Sequence, residues 1–349
     1  MEEPKRILVS RIRQIGDVIL TLPVLDALRA RFPDAMIDYL AEEGPVEAAV
    51  GHPALNRVLT LRRGWWAGLP ASPLLIAALR RARYDWVLDL YGNPRSALLA
   101  RMTGSPVRVG PARRSRRRLF THAIPPQDPS RSAIDYHLSA LRALGVPPGP
   151  IKAPRIHLSD VERVEGAARL DQAVPPGQPR VGLHVGNRWS AKRWPEERFS
   201  ALLRALSKLG ARGVVLAGPS EEALARRVAD GARVAGRGPA PLIAGLPLRS
   251  YFAVVAALDA LVTNDGSPLH VGPAVQVPTV GILGPTVPEI WFPYSREDGH
   301  QLLCKAIWCR PCHRHECGRL DCLEWIEVGE ALQATAKALA HGGRVRASA

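Results

Sequence analysis

Lysine is scarce in this 349-residue chain. Only six of the 47 basic residues are lysine, so arginine supplies most of a net charge of +15. Guanidinium groups suit bidentate binding of phosphates and carboxylates, although a GC-rich genome would produce the same bias without any function. The first 150 residues hold 22 basic and 13 acidic side chains, so their net charge of +9 is more than half of the +15 of the whole chain. We therefore expect an anionic partner (nucleic acid, acidic lipid or a phosphorylated substrate) to bind in the first half.

The chain also lacks cysteine outside one short segment, and it lacks an apolar run that could cross a membrane. All five cysteines lie within residues 304–322, which excludes a disulfide framework for a whole secreted fold. The longest uncharged stretch, 266–288, contains five prolines that a spanning helix would not tolerate. The first apolar run is too short for the core of a signal peptide. We expect a cytoplasmic protein.

Short β-branched runs alternate with helical patterns, and this alternation predicts mostly parallel sheets. The first predicted helix opens at Gly16 and contains Pro23, which we expect to kink or restart it. Strands are predicted at 6–11, 36–40, 57–61, 86–90, 107–110, 181–185, 213–217, 241–244, 260–263 and 279–283. Further helices are predicted at 72–83, 94–103, 133–144, 196–209, 220–231, 248–258, 268–275 and 328–339.

The length exceeds that of one ordinary domain, so we expect two. Pro- and Gly-rich segments at 145–150 and 175–179 are the candidate linkers. Between them, Ser159 and Glu162 have the spacing of a capping box, and the domain of the helix that they begin stays open. We place the boundary in the second segment, which predicts an N-terminal domain of residues 1–175 and a C-terminal domain of residues 176–349.

Polar loops follow several of the predicted strands. Two parallel sheets in tandem would place their carboxyl strand ends across a central cleft, where ligands of such sheets bind. The loop 186–194 contains Asn187, Ser190 and Lys192, and its amides, hydroxyl and ammonium could hold a diphosphate without a metal ion. Its spacing is not that of a Walker loop. The alternative is an ordinary solvated loop.

Acidic residues follow two more strands. Asp265 precedes Gly266, Ser267 and a helix predicted to begin at Pro268, so the carboxylate could bind sugar hydroxyls while the loop amides bind phosphate. The alternative is that these residues only cap the helix. In the loop 218–222, a carboxylate could accept hydrogen bonds from both ribose hydroxyls, or it could be an ordinary acid of a first helical turn.

Four motifs, taken in order along the chain, resemble those of glycosyltransferase family 9, the ADP-heptose:lipopolysaccharide heptosyltransferases. They span residues 6 to about 330, and the cysteines make the fit closer to the heptosyltransferase II type. The motifs are Gly16-Asp17-Val18 with Thr21-Leu22-Pro23, then 192–196, then 264–270, and finally the four cysteines that follow residue 308.

The resemblance implies a GT-B fold, with two Rossmann-like parallel-sheet domains facing a central cleft. It implies an inverting transfer of heptose from ADP-heptose on the C-terminal domain to a lipopolysaccharide inner-core acceptor on the N-terminal domain. Asp17 would be the catalytic base, and no cofactor is expected. Lys192 would contact donor phosphate and Asp265 the sugar, while Glu222, or else Glu221, would contact ribose. The expected donor-binding residues are Asn187, Ser190, Lys192, Glu222, Asp265, Gly266, Ser267 and His270.

The sequence departs from the family pattern at two places. The order Asp265-Gly266-Ser267 replaces Asp-Ser/Thr-Gly, so the residue that donates a hydroxyl stays open. Asn187-Arg188 replaces a threonine pair found in some members, so the donor sugar stays open. The alternatives are a GT-B-fold transferase or epimerase using a different nucleotide sugar, or a nucleotide-sugar-binding protein without turnover. The retained Asp17 argues against the second.

A block of arginines lies at residues 113–118, in the half with the larger excess of positive charge. Such a block is typical of a solvated loop, but in a lipopolysaccharide enzyme it would bind the phosphates and acidic sugars of the core. Peripheral contact with the cytoplasmic face of the inner membrane would follow. No nucleic-acid partner is expected, because no recognition helix or aromatic platform accompanies the charge. The expected acceptor-binding residues are Arg62, Arg63, Arg113, Arg116, Arg117 and Arg118.

The last four cysteines have the spacing C-x2-C-x4-C-x4-C. Four thiolates could hold zinc, but this is not the spacing of a common structural zinc module. A buried reduced cluster or a redox-labile pair are the alternatives. We expect no metal, with Cys309, Cys312, Cys317 and Cys322 as the weak candidates.

Overall fold

Each half of the chain forms its own six-stranded sheet. The computed structural model describes residues 3–66, 68–111, 116–233 and 238–347. Contacts divide the chain into two units, Met1–His157 and Leu158–Ala349. Within both sheets neighbouring strands run parallel. The predicted α/β class, with two Rossmann-like units, is confirmed.

The strands of the first sheet are β1 (Arg6–Ser10), β2 (Met36–Glu42), β3 (Arg57–Leu61), β4 (Trp86–Asp89), β5 (Val107–Pro111) and β6 (His122–Ile124). Their spatial order, β3-β2-β1-β4-β5-β6, is that of a Rossmann sheet. The order reverses between β1 and β4, where Ser10 pairs with Asp89, and ligands of such sheets bind beside this switch point. The helices of this unit are α1 (Ile15–Arg31), α2 (Pro73–Arg81), α3 (Pro94–Met102) and α4 (Ala133–Arg142).

Helix α1 continues through Pro23, so the expected restart at this residue is wrong. A proline inside a helix removes one backbone hydrogen bond. Here every residue from Val18 to Leu25 is buried, and the helix packs against α4. This burial on several sides compensates for the missing bond, because most helical stability in proteins comes from tertiary packing.

The strands of the second sheet are β7 (Arg180–His184), β8 (Arg212–Ala217), β9 (Leu242–Ala244), β10 (Ala260–Asn264), β11 (Thr279–Leu283) and β12 (Gln301–Cys304). Their order is β12-β11-β10-β7-β8-β9, which repeats the topology of the first sheet and puts the switch point between β7 and β10. The helices are α5 (Asp160–Ala173), α6 (Glu196–Ala205), α7 (Glu222–Gly231), α8 (Leu248–Ala256), α9 (Ser267–Ala274), α10 (Pro288–Trp291), α11 (Asp321–Glu324) and α12 (Val328–Ala347).

Along the chain, the first unit ends at His157 and the second begins at Leu158, whereas the expected boundary was near residue 175. Helix α5 packs closely against α8, so it belongs to the second unit. A Cβ at Gly166 would lie 2.4 Å from the backbone of Ala253, and only glycine allows this approach. Glu162 accepts two hydrogen bonds of 2.7 Å from Arg249 across the same pair of helices. The linker therefore precedes α5.

Two short strands, β6 and β12, escaped prediction. Each lies at an edge of its sheet. β6 has three residues and lies between the arginine block and a proline-rich segment, and β12 has four residues that are only partly buried. Runs this short contain too little of the two-residue alternation that identifies a strand in sequence.

The C-terminal helix α12 belongs to the second unit, an assignment that the sequence left open. Ala331, Ala334 and Ala338 are buried in the same apolar core as strands β7 and β10. Small side chains on this face allow the helix to lie close to the sheet. No helix in the described ranges combines the length and apolar character needed to span a membrane.

Candidate functional site

Lys192 and Asp265 form an ion pair at the switch point of the second sheet. The loop after β7 ends in a single helical turn, Ser190–Lys192, and Asp265 directly follows β10. Lys192 Nζ lies 2.8 Å from Asp265 Oδ2, and the two side chains are 14% and 4% exposed. Thr286 donates a hydrogen bond to the same carboxylate oxygen. Two motifs far apart in sequence thus meet at one edge of the second sheet.

Asparagine side chains join these two loops. Asn187 Nδ2 donates to the carbonyl oxygen of Asp265 at 2.6 Å, and Asn264 Oδ1 accepts from the backbone amide of Trp194 at 3.0 Å. A Cβ at Gly266 would lie 2.9 Å from Asn187 Nδ2, so a larger residue here would displace the Asn187 amide. Asn187 therefore holds the two loops together.

Helix α9 begins at Ser267, one residue before the predicted start, with Pro268 in its first turn. Gly266 is the N-cap, and no side chain caps this end. The first amides of α9 therefore follow directly after the carboxylate of Asp265. Ser190 is exposed, and its Oγ lies 3.4 Å from the carbonyl oxygen of His315. An amide-rich helix start beside an ammonium is suited to a phosphate.

The carboxylate after β8 that faces the switch point is Glu221, so the structure favours it over Glu222. Glu221 Oε2 lies 3.2 Å from His184 Nε2 and accepts from the Gly218 amide at 3.1 Å. Burial raises the pKa of Glu221, but the His184 hydrogen bond, the Gly218 amide and the charge of Arg193 together hold this pKa below its usual value. Glu222 instead pairs with Arg226 on the exposed side of α7.

His270, a predicted donor-binding residue, lies in α9. It is 4% exposed, and its Nδ1 lies 2.8 Å from the hydroxyl of Tyr294. Burial raises the pKa of that tyrosine well above its usual value, so the hydroxyl stays protonated. His270 is thus linked to Tyr294 within the second unit, and its role in donor binding stays a prediction.

In the first unit, Asp17 lies in the first turn of α1, close to the end of β1. Arg11 Nη2 contacts Asp17 Oδ1 at 2.9 Å, and the Arg11 guanidinium lies 4.4 Å from the centre of the Tyr91 ring. The Asp17 side chain is 17% exposed. The ion pair orients the carboxylate, and the helix N-terminus attracts its negative charge. Arg11 is a site residue that the sequence analysis missed.

A second missed carboxylate, Asp89, lies at the end of β4. It is fully buried and accepts hydrogen bonds from the amides of Tyr91 and Gly92, at 3.1 Å each, and from Ser96 Oγ at 2.7 Å. Burial raises the pKa of Asp89, against the lowering effect of these three hydrogen bonds. Asp89 therefore fixes the loop beneath Tyr91, the ring on which Arg11 lies.

An arginine-lined pocket of about 190 Å³ lies beyond β2. Glu42 is 2% exposed, and its carboxylate accepts hydrogen bonds from Arg95 Nη1 at 2.8 Å and from Arg13 Nε at 3.0 Å. Trp65 is half exposed and forms part of the wall. One carboxylate balances one of the two nearest arginines, so the pocket keeps a positive charge. The sequence analysis missed Arg13, Arg95 and Trp65.

The predicted acceptor arginines divide into several groups. Arg62 and Arg63 are exposed beside this pocket, with Arg63 Nε 3.9 Å from Glu42. Arg116 is partly buried and donates from Nε to the carbonyl oxygen of Gly92 at 2.9 Å, which is a structural contact. The remaining members are Arg117 and Arg118, which are exposed, and Arg113, which lies outside the described residues.

The cysteine segment packs against the loop after β7. The His315 ring stacks on Trp189 with centroids 3.8 Å apart, and its carbonyl oxygen accepts from the Ala191 amide at 3.1 Å. Burial raises the pKa of Cys322 to about 11, whereas the amides of Leu320 and Arg319 lower that of Cys317. In the described ranges, no three side chains of His, Cys, Asp or Glu form a metal-binding group, and the four weak candidates Cys309, Cys312, Cys317 and Cys322 are free thiols.

Comparisons with known proteins identify the family. The model of glycosyltransferase family 9 (heptosyltransferase) matches residues 74–322. Lipopolysaccharide heptosyltransferase 1 of Pseudomonas aeruginosa is 30% identical over 335 residues, covering 89% of this chain and 87% of the relative.

Two solved structures share the fold. The structure of Escherichia coli ADP-heptose lps heptosyltransferase II has a TM-score of 0.81 at 22% identity, with 97% and 99% of the two chains covered. Escherichia coli heptosyltransferase WaaC with ADP-2-deoxy-2-fluoro heptose has a TM-score of 0.68 at 23% identity, with 94% and 98% covered. The architecture is therefore GT-B, as expected. The match to the family model and the identity to the Pseudomonas relative show that this chain is a glycosyltransferase and belongs to family 9, the heptosyltransferases.

Proposed function

We propose that this enzyme transfers a heptose from ADP-heptose to the inner core of lipopolysaccharide, with inversion at the anomeric carbon. The observation on which the proposal rests most is the Lys192–Asp265 pair beside the start of α9. An ammonium, a helix start and a carboxylate at one switch point suit a sugar diphosphate. The names of the relatives and the ADP-sugar bound to WaaC support the choice of donor.

The donor would use the second unit. An ammonium has three N–H donors, so Lys192 can keep Asp265 and still bind a diphosphate oxygen. The amides at Gly266 and Ser267 would bind a second oxygen. Asp265 would accept hydrogen bonds from sugar hydroxyls, and Glu221 from those of the ribose. Asn187 would hold in place the loop that binds the diphosphate, and Ser190 would lie at the edge of that loop.

The chemical step would be a direct displacement. Asp17 removes the proton from the acceptor hydroxyl, the oxygen forms a bond to the anomeric carbon, and the bond from that carbon to the diphosphate breaks. The leaving ADP takes the electron pair. Its new charge is stabilised by Lys192 and by the start of α9. Arg11 keeps the Asp17 carboxylate oriented through its 2.9 Å contact.

The acceptor would use the pocket between Arg13 and Arg95. At about 190 Å³ it is smaller than the pockets of about 300–1,000 Å³ that hold drug-sized ligands. Its size and charge suit a single acidic sugar or phosphate group of the core, with the Trp65 ring as a wall. The exposed side chains of Arg62, Arg63, Arg117 and Arg118 would contact further phosphates, and they would favour peripheral contact with the cytoplasmic face of the inner membrane.

The proposal is tested by release of ADP from ADP-heptose in the presence and absence of a heptose-free inner-core acceptor. We expect release that depends on the acceptor, and a product heavier by one heptose. Turnover with another nucleotide sugar but not with ADP-heptose would refute the donor assignment. Donor binding with no turnover by any acceptor would indicate a binding protein instead.

A further inference from the structure

A chain of two hydrogen bonds, which the proposed transfer does not use, leads from Glu221 through His184 to Tyr251. His184, the last residue of β7, lies between the Glu221 carboxylate and the Tyr251 hydroxyl of α8. The distances are 3.2 Å from Nε2 to Glu221 Oε2 and 3.0 Å from Nδ1 to the tyrosine oxygen. The His184 side chain is 8% exposed. Strand β7 thus contacts the carboxylate through His184, and helix α8 contacts that imidazole through Tyr251.

The direction of these hydrogen bonds follows from the groups themselves. The Glu221 pKa is held below its usual value, so Oε2 is an acceptor and His184 Nε2 must hold a proton. Burial, together with the charge of Glu221, raises the pKa of Tyr251, so its hydroxyl keeps its own proton. In the neutral ring, Tyr251 therefore donates to Nδ1 and His184 donates to Glu221. The order of donors is tyrosine, histidine, carboxylate.

The carboxylate is held on its other side by Gly186 and Gly218. A Cβ at Gly186 would lie 2.0 Å from Glu221 Cδ and 2.3 Å from Oε1, so only glycine allows the carboxylate to lie over the end of β7. The Gly218 amide bonds Oε2 at 3.1 Å. Within the described residues, Oε1 makes no hydrogen bond, so it remains available to a ligand.

We propose that His184 and Tyr251 are positioning residues for the nucleotide: Tyr251 orients the imidazole, and the imidazole holds Glu221 so that Oε1 meets the ribose hydroxyls. This inference rests on the proposed function and extends it to residues that do not touch the donor. A carboxylate fixed in advance loses less side-chain entropy when the nucleotide binds. The discrimination for ribose therefore depends on His184 and Tyr251.

The test is isothermal titration of the full chain with ADP and with 2′,3′-dideoxy-ADP. We expect wild type to prefer ADP by at least about tenfold, since hydrogen bonds to a charged group are lost with the dideoxy analogue. In His184→Leu this preference should fall below about threefold, while affinity for the analogue stays within about twofold of wild type. Tyr251→Phe should lower the preference by roughly threefold to fivefold. His184→Gln keeps an amide donor and should restore most of the preference.

Gly186→Ala is an independent variant, because its methyl displaces the flexible end of Glu221 without changing His184. It should also remove the preference for ADP. Gly329→Ala, with no atom within 4 Å of the new Cβ, is its control. Tyr84→Phe controls for loss of a buried tyrosine hydrogen bond, since Tyr84 donates to Asp38 at 2.6 Å in the first unit. Both controls should keep the wild-type preference.

Three results would overturn the inference. If His184→Leu and Gly186→Ala weaken both nucleotides equally, or leave the preference unchanged, the contacts serve packing alone. If Glu222→Gln loses the preference and Glu221→Gln keeps it, the wrong carboxylate has been assigned. If wild type binds neither nucleotide, the proposed function itself fails, which is distinguishable because the first two results require wild-type binding of ADP.

Discussion

Lys192 Nζ lies 2.8 Å from Asp265 Oδ2, and both side chains are largely buried. The two residues follow β7 and β10, the strands that border the switch point of the second sheet. Opposite charges with little solvent around them interact more strongly than an exposed pair. The pair thus joins the loop after β7 to the end of β10, so a change at either residue should affect both the stability of this unit and the proposed donor site.

Lys192→Gln should lower the free energy of unfolding by about 1–3 kcal/mol, because it leaves a buried carboxylate without its cation. Adding Asp265→Asn removes that charge and should recover most of the loss. The double variant should nevertheless fail to bind ADP. Denaturant unfolding and titration with ADP measure the two effects. Lys208→Gln, at an exposed lysine, is the control. Recovery of ADP binding by the double variant would contradict the role of Lys192.

Asp17→Asn should fold normally and bind ADP-heptose, but it should lower the rate of transfer by about 10²- to 10⁴-fold. The amide keeps the shape of the side chain and cannot accept the acceptor proton. Single-turnover kinetics measure the step directly. Asp26→Asn makes the same change on the same helix and should keep the wild-type rate. Near-normal transfer by Asp17→Asn would exclude Asp17 as the base.

Transfer should continue in EDTA, because Lys192 and the start of α9 are proposed to neutralise the departing diphosphate. Initial rates of transfer before and after chelation, with and without added magnesium, measure whether the reaction needs a metal ion. Loss of activity in EDTA that magnesium alone reverses would assign this role to a metal ion instead.

Arg13→Gln should raise the apparent KM for the acceptor several-fold and leave ADP-heptose affinity unchanged. Arg13 lines the pocket beside Glu42 and is about half exposed, so the variant removes charge at modest cost in stability. The effect should shrink as salt screens the wild-type charge. A double variant, Arg117→Gln with Arg118→Gln, removes exposed charge outside the pocket and should have a smaller effect. Equal effects would indicate a diffuse field rather than a binding pocket.

Acid should weaken the contact between α5 and α8. Two hydrogen bonds from Arg249 lower the pKa of Glu162 from 4.5 to about 2. A carboxyl whose pKa is lower in the folded state stabilises the fold above the unfolded value and loses this contribution as the pH falls towards 2. Glu162→Gln should therefore cost about 1 kcal/mol at pH 7 for this partly exposed pair, and almost nothing at pH 2.

Thermal unfolding of wild type and Glu162→Gln across this pH range measures the difference. Glu165→Gln, at an exposed position of the same helix, should show no such dependence. A constant difference between wild type and Glu162→Gln from pH 7 to pH 2 would contradict the assignment.

Local patterns determined much of this protein. The alternation of strands and helices predicted two parallel α/β units, and the motifs around Asp17, Lys192 and Asp265 identified the family. These features could be predicted because periodicity, turn residues and loop position after a strand are encoded by neighbours in sequence. The first-turn position of Asp17 is a local feature of the helix that follows β1. Lys192 and Asp265 can meet because parallel strands end at one edge of the sheet.

Only the tertiary structure decided the remaining features, because they depend on contacts between distant residues. Glu221 and Glu222 are indistinguishable as neighbouring acids, and the choice comes from His184 and the missing Cβ of Gly186. The pairing of Arg95 with buried Glu42 joins the first turn of α3 to the end of β2, and it leaves no local pattern in the sequence. The second unit begins at Leu158, earlier than predicted, because α5 packs on α8. Such packing depends on the fold of the whole second unit.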